Sequence, residues 1–320
     1  VLDACIEFSE LRGESLYVVG GMVRDLLGPG KSNRVNRTGR DLDLAITGDA
    51  VAVSRAVAEK IGAQSTAYDR FGTATVRLGG ARVDLAKTRT EHYPRPGALP
   101  QVETASIVED LARRDFSVNA IAVGLTGSDF GVLYDPFNGC SDLRRKRIDI
   151  LHENSFCDDP SRMLRACQYA GRLGGHLTRR TRIAMNRERG GLSLLSVKRF
   201  NDVWHRLISD SAADDALLLV RRFRLTQGRI SNWTLPLRLL HYYSRRSEFN
   251  ILETESAKYF WAVLALTHPK PGFINNVSRQ CIASGADRAI LKDAFLLAED
   301  HKRIRQRKII MSSLVSMLRK

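Results

Sequence analysis

Leu16-Tyr17-Val18-Val19-Gly20-Gly21-Met22-Val23-Arg24-Asp25 and, after an intervening Gly-, Ser- and Asn-rich stretch, Arg40-Asp41-Leu42-Asp43-Leu44 decide how this chain folds. The apolar Leu16–Val19 reads as a strand, and Val23–Leu27 as the start of a helix. Glycines at a strand-to-helix turn let phosphate approach the backbone, and a helix N-terminus attracts anions. The second run alternates. Residues two apart on a strand share a face, so Asp41 and Asp43 are expected to point together while Leu42 and Leu44 enter a core. Two adjacent carboxylates repel unless a cation sits between them. Oxygen-only ligands favour Mg²⁺, which keeps waters and bridges to substrate phosphates. A phosphate cradle beside such a pair suggests phosphoryl or nucleotidyl transfer.

Working outward, short strands are expected at Leu16–Val19, Asp41–Ile46, Thr73–Leu78, Ala81–Ala86 and Val118–Gly124, with a helix over Ala50–Ile61. Gly28–Thr38 and Tyr93–Pro100 read as loops, and the turn cluster Asp135-Pro136-Phe137-Asn138-Gly139 closes the α/β part. After Leu143 the apolar spacing is helical, over Arg162–Leu173, Leu192–Ile208, Ala216–Phe223 and Ala257–Leu266. The expected class is therefore α+β, a small β-sheet head followed by an all-α region. The divisions expected are a head over 1–142, a helical region over 143–210 and a helical body over 211–320.

Further constellations carry chemistry. Gly20, Gly21 and Arg24 are candidates to hold a triphosphate; alternatively the glycines only let a helix pack close to a strand. Asp84, in the alternating Arg82-Val83-Asp84-Leu85, is a third-carboxylate candidate beside Asp41 and Asp43. Such a set suits activation of a hydroxyl and stabilisation of a leaving pyrophosphate. In Arg113-Arg114-Asp115-Phe116, Asp115 is placed to accept from a ribose 2′-hydroxyl while Arg114 reaches phosphate. Asp159-Pro160 is a good helix start, with Asp as N-cap. A cap does not account for Arg162 and Arg165, three residues apart on one face. A carboxylate and a guanidinium together read the edge of cytosine or adenine: one accepts from the amino group, the other donates to the ring nitrogen. Uracil and guanine put a carbonyl where the amino group should be and leave polar groups unpaired, at about 1–3 kcal/mol each when buried.

Charge divides the chain. Residues 1–140 carry 16 Lys and Arg against 18 Asp and Glu, a net of −2, whereas 141–320 carry 34 against 17, a net of +17 within the overall +15. A basic half implies a polyanionic partner. Its clusters are Arg144-Arg145-Lys146-Arg147, Arg179-Arg180, Arg221-Arg222, Arg245-Arg246 and His301–Lys308, with Tyr242 and Tyr243 as candidates to stack on bases. Five scattered cysteines without metal spacing fit a reducing cytoplasm. No apolar run is long enough to span a bilayer, and no secretory segment opens the chain, so no membrane partner is expected.

The motifs GGxVRD, RDLDLA, FGT, RRDFSVNA, DPFNG and DDPSRMLRA, in this order, resemble the class II tRNA nucleotidyltransferases (CCA-adding enzymes) and their poly(A) polymerase relatives. The resemblance is dense over residues 16–175, weaker over Leu192–Ile208, which looks like the family's neck helix, and faint beyond. It implies a palm-like head, then neck, body and tail. It implies Mg²⁺ at Asp41 and Asp43, with Asp84 in the third-carboxylate position. Gly21 and Arg24 match triphosphate positions, Arg114 and Asp115 the ribose-reading pair, Asp159 and Arg162 the base-reading pair, and Arg165 a further nucleotide contact. The implied substrates are ATP, CTP and the 3′ end of a tRNA. Departures are Asp158 where Glu is frequent, Gln168 where a third arginine is usual, and Lys198 where an acid is usual. Relatives also continue past the helix-like Ser312–Leu318, so a shortened tail is expected.

Within the resemblance, full CCA addition and partial A- or CC-addition share these motifs; the Arg70–Thr75 region should help control the C-to-A switch. A poly(A) polymerase is the alternative, against which Phe71-Gly72-Thr73 looks more like the tRNA enzymes. A non-catalytic RNA-binding protein is a third reading, opposed by the intact Asp41, Asp43, Arg114 and Asp159.

Overall fold

Alternation in Asp41–Ile46 organises the first of two compact units. A computed structural model describes residues 1–28, 41–68 and 72–301, the side chains of 253 and 299–301 excepted. The loop expected over 29–38, Arg40, Arg70, Phe71, the basic cluster beyond 301 and the helix-like 312–318 lie outside the described residues. One unit comprises Val1–Pro94 and Leu99–Glu153; the other comprises Arg95–Ala98 and the chain from Asn154.

The first unit opens with α1 (Leu2–Leu11), β1 (Leu16–Val19), α2 (Gly21–Leu27), β2 (Asp41–Ile46), α3 (Ala50–Ile61), β3 (Gln64–Tyr68), β4 (Thr73–Leu78) and β5 (Ala81–Lys87). A hairpin of β6 (Arg89–His92) and β7 (Gln101–Thr104) follows, then α4 (Ile107–Ala112), β8 (Ala122–Gly124), β9 (Leu133–Tyr134) and α5 (Gly139–Arg144). The main sheet has the order β3-β4-β5-β2-β1-β8-β9. Strands β2 and β5 run parallel; the other neighbours are antiparallel. A parallel pair needs a crossover, and α3 with the β3–β4 hairpin supplies it. Helix α3 starts where the Asp49 carboxylate accepts from Val51 N and Ala52 N, both at 3.0 Å. It ends at Gly62, whose φ of +64° is left-handed.

The period of two sorts side chains between two cores. Leu44 and Ile46 join Leu16, Val83 and Leu85 against Val53 and Val57 of α3, with Leu42 half-buried at the margin. Ala45 lies on the other face with Tyr17, Val19, Ile107, Leu111 and Ala122. Asp41 and Asp43 share the face of Ala45, at the end of β2 where the core has run out. Each buried aliphatic side chain contributes about 1.5–3 kcal/mol, and slipping β2 by one residue would exchange Leu42, Leu44 and Ile46 for Asp41, Asp43 and Ala45. That cost secures the register.

Two expectations need correction here. The strand expected over 118–124 begins only at Ala122; Ser117–Asn119 forms a 3₁₀ turn. The Ser117 hydroxyl donates to Asp142 at 2.6 Å and the Asn119 side chain bonds Asp115 at 2.9 Å, so buried polar contacts hold that backbone out of the sheet. The turn cluster 135–139 does not close the unit. Asp135 instead caps α5, accepting from Cys140 N at 3.0 Å, and the unit runs on to Glu153.

The second unit is helical: α6 (Ser155–Asp158), α7 (Ser161–Leu173), α8 (Arg179–Glu188), α9 (Val197–Ile208), α10 (Ala213–Arg222), α11 (Leu237–Ser244), α12 (Ser256–Thr267), α13 (Pro271–Cys281) and α14 (Gly285–His301). Helix α12 is buried on nearly every side. Its Phe260 and Trp261 meet Trp204 of α9, which also stacks on Phe200 at 5.6 Å between ring centroids. The helix expected over 192–208 is broken. Arg189–Leu194 is a 3₁₀ segment, Leu195 is extended, and Ser196 starts α9 by accepting from Arg199 N at 3.2 Å. Among the described residues no helix is long and apolar enough to cross a membrane.

Candidate active site

Register brings three carboxylates to the β2–β5 edge of one sheet face. Asp43 lies opposite Asp84 across the parallel pair, and Asp84 lies opposite Thr75 across β4. Asp41 and Asp43 are exposed. Solvent reaches Asp43, yet the protein packed around it and then the Asp84 carboxylate hold its carboxyl above the ordinary range. Asp84, on the same face, already has partners: it accepts from the Thr75 hydroxyl at 2.6 Å and pairs with Arg82 at 2.7 Å. Among the described residues no three acidic, His or Cys side chains gather closely enough to hold an ion. Asp41 and Asp43 form a two-carboxylate pair whose crowding a divalent cation would relieve, and oxygen donors of this kind suit Mg²⁺. The residues present therefore fit such an ion.

Beside them lies a guanidinium notch. Gly20 has φ +70°, and a Cβ there would lie 3.1 Å from Arg114 Nη1. Arg114, not an open phosphate cradle, occupies the space that Gly20 leaves. Arg114 Nη2 donates to Asp110 at 2.9 Å, and its charge favours the ionised form of Asp43. Arg24 is 3% exposed. It pairs with Asp25 at 2.8 Å and donates to Asn119 Oδ1 at 2.7 Å. Asn119 in turn donates to Asp115 Oδ1 at 2.9 Å, and Asp115 also accepts from Phe116 N at 3.0 Å. Arg24 and Asp115 are thus joined through an amide that sequence reading missed. Gly21 opens α2 with Arg24 Nη2 3.6 Å from its absent Cβ.

The second unit holds the other candidates together. Asp159 is extended and Pro160 is already helical (φ −58°, ψ −21°). Asp159 Oδ1 accepts from Ser161 N at 3.0 Å, so it does cap α7. The same oxygen accepts from Arg199 Nη2 at 3.1 Å, and Arg199 Nη1 donates to Gly97 O at 2.6 Å. Arg162 is buried, and its Nη1 donates to Ser155 Oγ at 2.9 Å. Arg165 is half-buried and bonds Tyr169 Oη at 3.2 Å, with its guanidinium 5.5 Å from that ring's centroid. Gln168 is buried, donating to Arg206 O at 3.2 Å and Asp210 at 3.0 Å, which accounts for an amide at that position. Lys198 pairs with Asp202 at 2.7 Å on an exposed helix face.

Among the basic clusters and their aromatics, several side chains have partners within the protein. Tyr243 is fully buried with its hydroxyl on Ile208 O, so it belongs to the core and is no stacking platform. Arg221 donates to Leu235 O, Arg245 pairs with Glu248, and Arg246 pairs with Asp214. Thr75, Asp110, Asn119 and Arg199 were missed. Asp110, four residues before Arg114, and Asn119, four residues after Asp115, had a local signal; Thr75 and Arg199 had none.

Comparison with known proteins follows the same division. Residues 16–149 match the family model described as the poly A polymerase head domain. An A-adding tRNA nucleotidyltransferase of Aquifex aeolicus (strain VF5) is 42% identical over 165 residues, covering 52% of this chain and 19% of the relative. A CCA-adding enzyme of Geobacillus sp. (strain WCH70) is 31% identical over 288 residues, covering 88% of this chain and 63% of the relative. The chain thus spans a minor part of the A-adding relatives and less than two thirds of the CCA-adding one. A solved CCA-adding enzyme, apo form II, superposes with a TM-score of 0.76 at 27% identity over 93% of this chain and 69% of that one. A tRNA nucleotidyltransferase solved with a primer tRNA and an incoming ATP analog gives 0.73 at 26% identity, over 98% and 94%. In the sequence of its head and in a fold shared along nearly its whole length, this chain is similar to the CCA-adding enzymes among the nucleotidyltransferases.

Proposed function

We propose that this protein is a template-independent tRNA 3′-end nucleotidyltransferase that adds C, A or both from CTP and ATP and releases pyrophosphate. The observation that carries the reading is the exposed Asp41–Asp43 pair at the core's margin with Arg114 seated beside it in the Gly20 notch. In the reaction the 3′-hydroxyl oxygen of the RNA bonds to the α-phosphorus, the bond to the β-phosphate oxygen breaks, and the hydroxyl proton leaves to solvent. Mg²⁺ held by Asp41 and Asp43 would ease that deprotonation and offset charge on the pyrophosphate. Arg114 supplies a positive charge for phosphate, and Gly20, Gly21 and Arg24 shape the turn around it. Asp115 is the ribose-reading candidate, its carboxylate prealigned by Asn119. Asp159 and Arg162 read the base edge, with Arg165 as a further nucleotide contact. Asp84, opposite Asp43 in register, is the third-carboxylate candidate of the catalytic set and also raises the charge around Asp43.

Identity favours trying ATP first: the A-adding relatives reach 42%, a CC-adding one 36% and a CCA-adding one 31%. Unpaired thiols at all five cysteines accord with a cytoplasmic setting. The test incubates the protein with Mg²⁺, each NTP alone, and tRNAs ending before C, after C and after CC. Addition of one to three defined residues supports the reading. ATP-only, many-residue tailing of any RNA would mark a poly(A) polymerase, as the head-domain description suggests. Tight tRNA binding without addition would mark a binding protein.

A further inference from the structure

We propose that Asp110 is a positioning residue for Arg114, a buried carboxylate that sets the guanidinium in the notch left by Gly20 and thereby sets how tightly a nucleotide is held. The proposal rests on the nucleotidyltransferase reading of Arg114 and adds a residue that does not itself meet the substrate.

Asp110 is on α4, and its side chain is only 1% exposed. The helix is placed by a capping box: Ser106 Oγ accepts from Glu109 N while Glu109 accepts from Ser106 N at 2.8 Å. Asp110 then serves several donors. Its Oδ1 accepts from Arg113 Nε at 2.9 Å, Arg113 Nη2 at 2.7 Å and Arg89 N at 3.2 Å. Its Oδ2 accepts from Arg114 Nη2 at 2.9 Å. Arg113 is held a second time by Glu91, at 2.6 Å, and Glu91 also accepts from Tyr93 Oη at 2.8 Å. Arg114 has no such duplication. Its Nε is buried without a hydrogen-bond partner among the described residues, and its Nη1 rests against Gly20. Asp110 is therefore the acceptor that fixes this guanidinium.

Charge points the same way. The cluster sets the guanidiniums of Arg89, Arg113 and Arg114 against the carboxylates of Asp110 and Glu91. Arg113 takes more of the hydrogen bonds that the two acids accept. Three guanidiniums face two carboxylates, and Arg114 is the member that faces Gly20. One oxygen of Asp110 anchors the cluster and the other aims Arg114 without quenching it. A carboxylate serves two guanidiniums in this way because each of its oxygens accepts independently.

The test uses the full chain and Asp110→Asn, which keeps the shape and the acceptor for Arg89 N but removes the charge. Loss of one charge-assisted bond should raise KM for the accepted NTP about tenfold, change kcat less, and weaken nucleotide binding measured calorimetrically with Mg²⁺ and no RNA. In the Arg114→Ala background, Asp110→Asn should add little to KM, because the residue it positions is gone. Equal, additive effects in both backgrounds would mean that Asp110 only stabilises the fold and would overturn the proposal. So would an unchanged KM. If Asp110→Asn does not fold, Asp110→Glu keeps the charge and moves the carboxylate by one methylene; a KM equal to that of the unsubstituted chain again refutes it. Calorimetric binding by the unsubstituted chain without any RNA addition would fail the function reading while leaving this one testable.

Discussion

Asp159 carries two demands, and substitution can separate them. Its Oδ1 accepts from Ser161 N at 3.0 Å as a helix cap and from Arg199 Nη2 at 3.1 Å as an ion-pair partner. Asp159→Ala removes both. Loss of the cap costs about 0.5–2 kcal/mol, and loss of the partly exposed pair about 0.2–1 kcal/mol, for a total of roughly 1–3 kcal/mol. At about 2–4 °C per kcal/mol for a unit of this size, the melting temperature should fall by several degrees. Asp159→Asn keeps a good capping oxygen and loses only the charge, so its stability should stay within about 1 kcal/mol. Base choice should behave differently. Asn offers an acceptor or a donor according to its flip, so it can meet the carbonyl of uracil or guanine that a carboxylate repels. Both variants should therefore incorporate UTP or GTP where the unsubstituted protein does not, although only Asp159→Ala melts early. The assay is single-NTP incorporation on a truncated tRNA beside thermal melting of the same preparations. If Asp159→Asn refuses UTP and GTP as strictly as the original, Asp159 is a helix cap tied to Arg199 and reads no base.

Asp41→Ala or Asp43→Ala should abolish nucleotide addition while the melting temperature and tRNA affinity stay nearly unchanged, since both side chains are exposed; Mg²⁺-dependent addition by both variants would reject the pair as the metal site. RNA affinity should fall steeply with salt and follow residues 141–320, which carry +17 against −2 before them; each neutralised phosphate adds about one or less to the log–log slope, and a head fragment binding as tightly as the whole chain would count against this. Acid stability should depend on Asp110 and Asp210. Burial alone would raise both carboxyls, but Arg114 and Arg113 beside the first, and Arg172 with Ala212 N and Gln168 beside the second, hold them below the ordinary 3.8. A depressed carboxyl contributes stability that is complete above its unfolded value and is lost as pH falls through the folded one. Stability should thus decline below about pH 4, and Asp210→Asn should lower stability at pH 7 while flattening that decline; an unchanged pH profile would show that Asp210 contributes nothing.

What could be read from residues alone was whatever a few neighbours decide. Alternation placed Asp41 and Asp43 on one face and Leu44 and Ile46 in a core, because a strand's period is two whatever it pairs with. Gly20, after an apolar strand and before Arg24, marked a turn, and Asp159-Pro160 marked a helix start, because capping and positive φ are local energies. The same local logic failed where distant polar groups compete. Val118 and Asn119 looked like a strand but turn away from the sheet, since Asn119 bridges Arg24 and Asp115, and Leu192–Ile208 looked continuous although Ser196 restarts it.

The partners of the candidate site were beyond such reading. Alternation put Asp84 on a strand face, but only strand register set it opposite Asp43 and gave its oxygens Thr75 and Arg82 as partners. Arg199 meets Asp159 across 40 residues, and Arg114 fills the space at Gly20 across more than 90. The sequence by itself determined which residue types stand on which faces, and hence that acids and glycines meet at the head of a small sheet. Only the tertiary structure decided which of those charges are satisfied and which remain available, because hydrogen bonds and ion pairs depend on ångström distances between groups whose separation along the chain constrains them hardly at all.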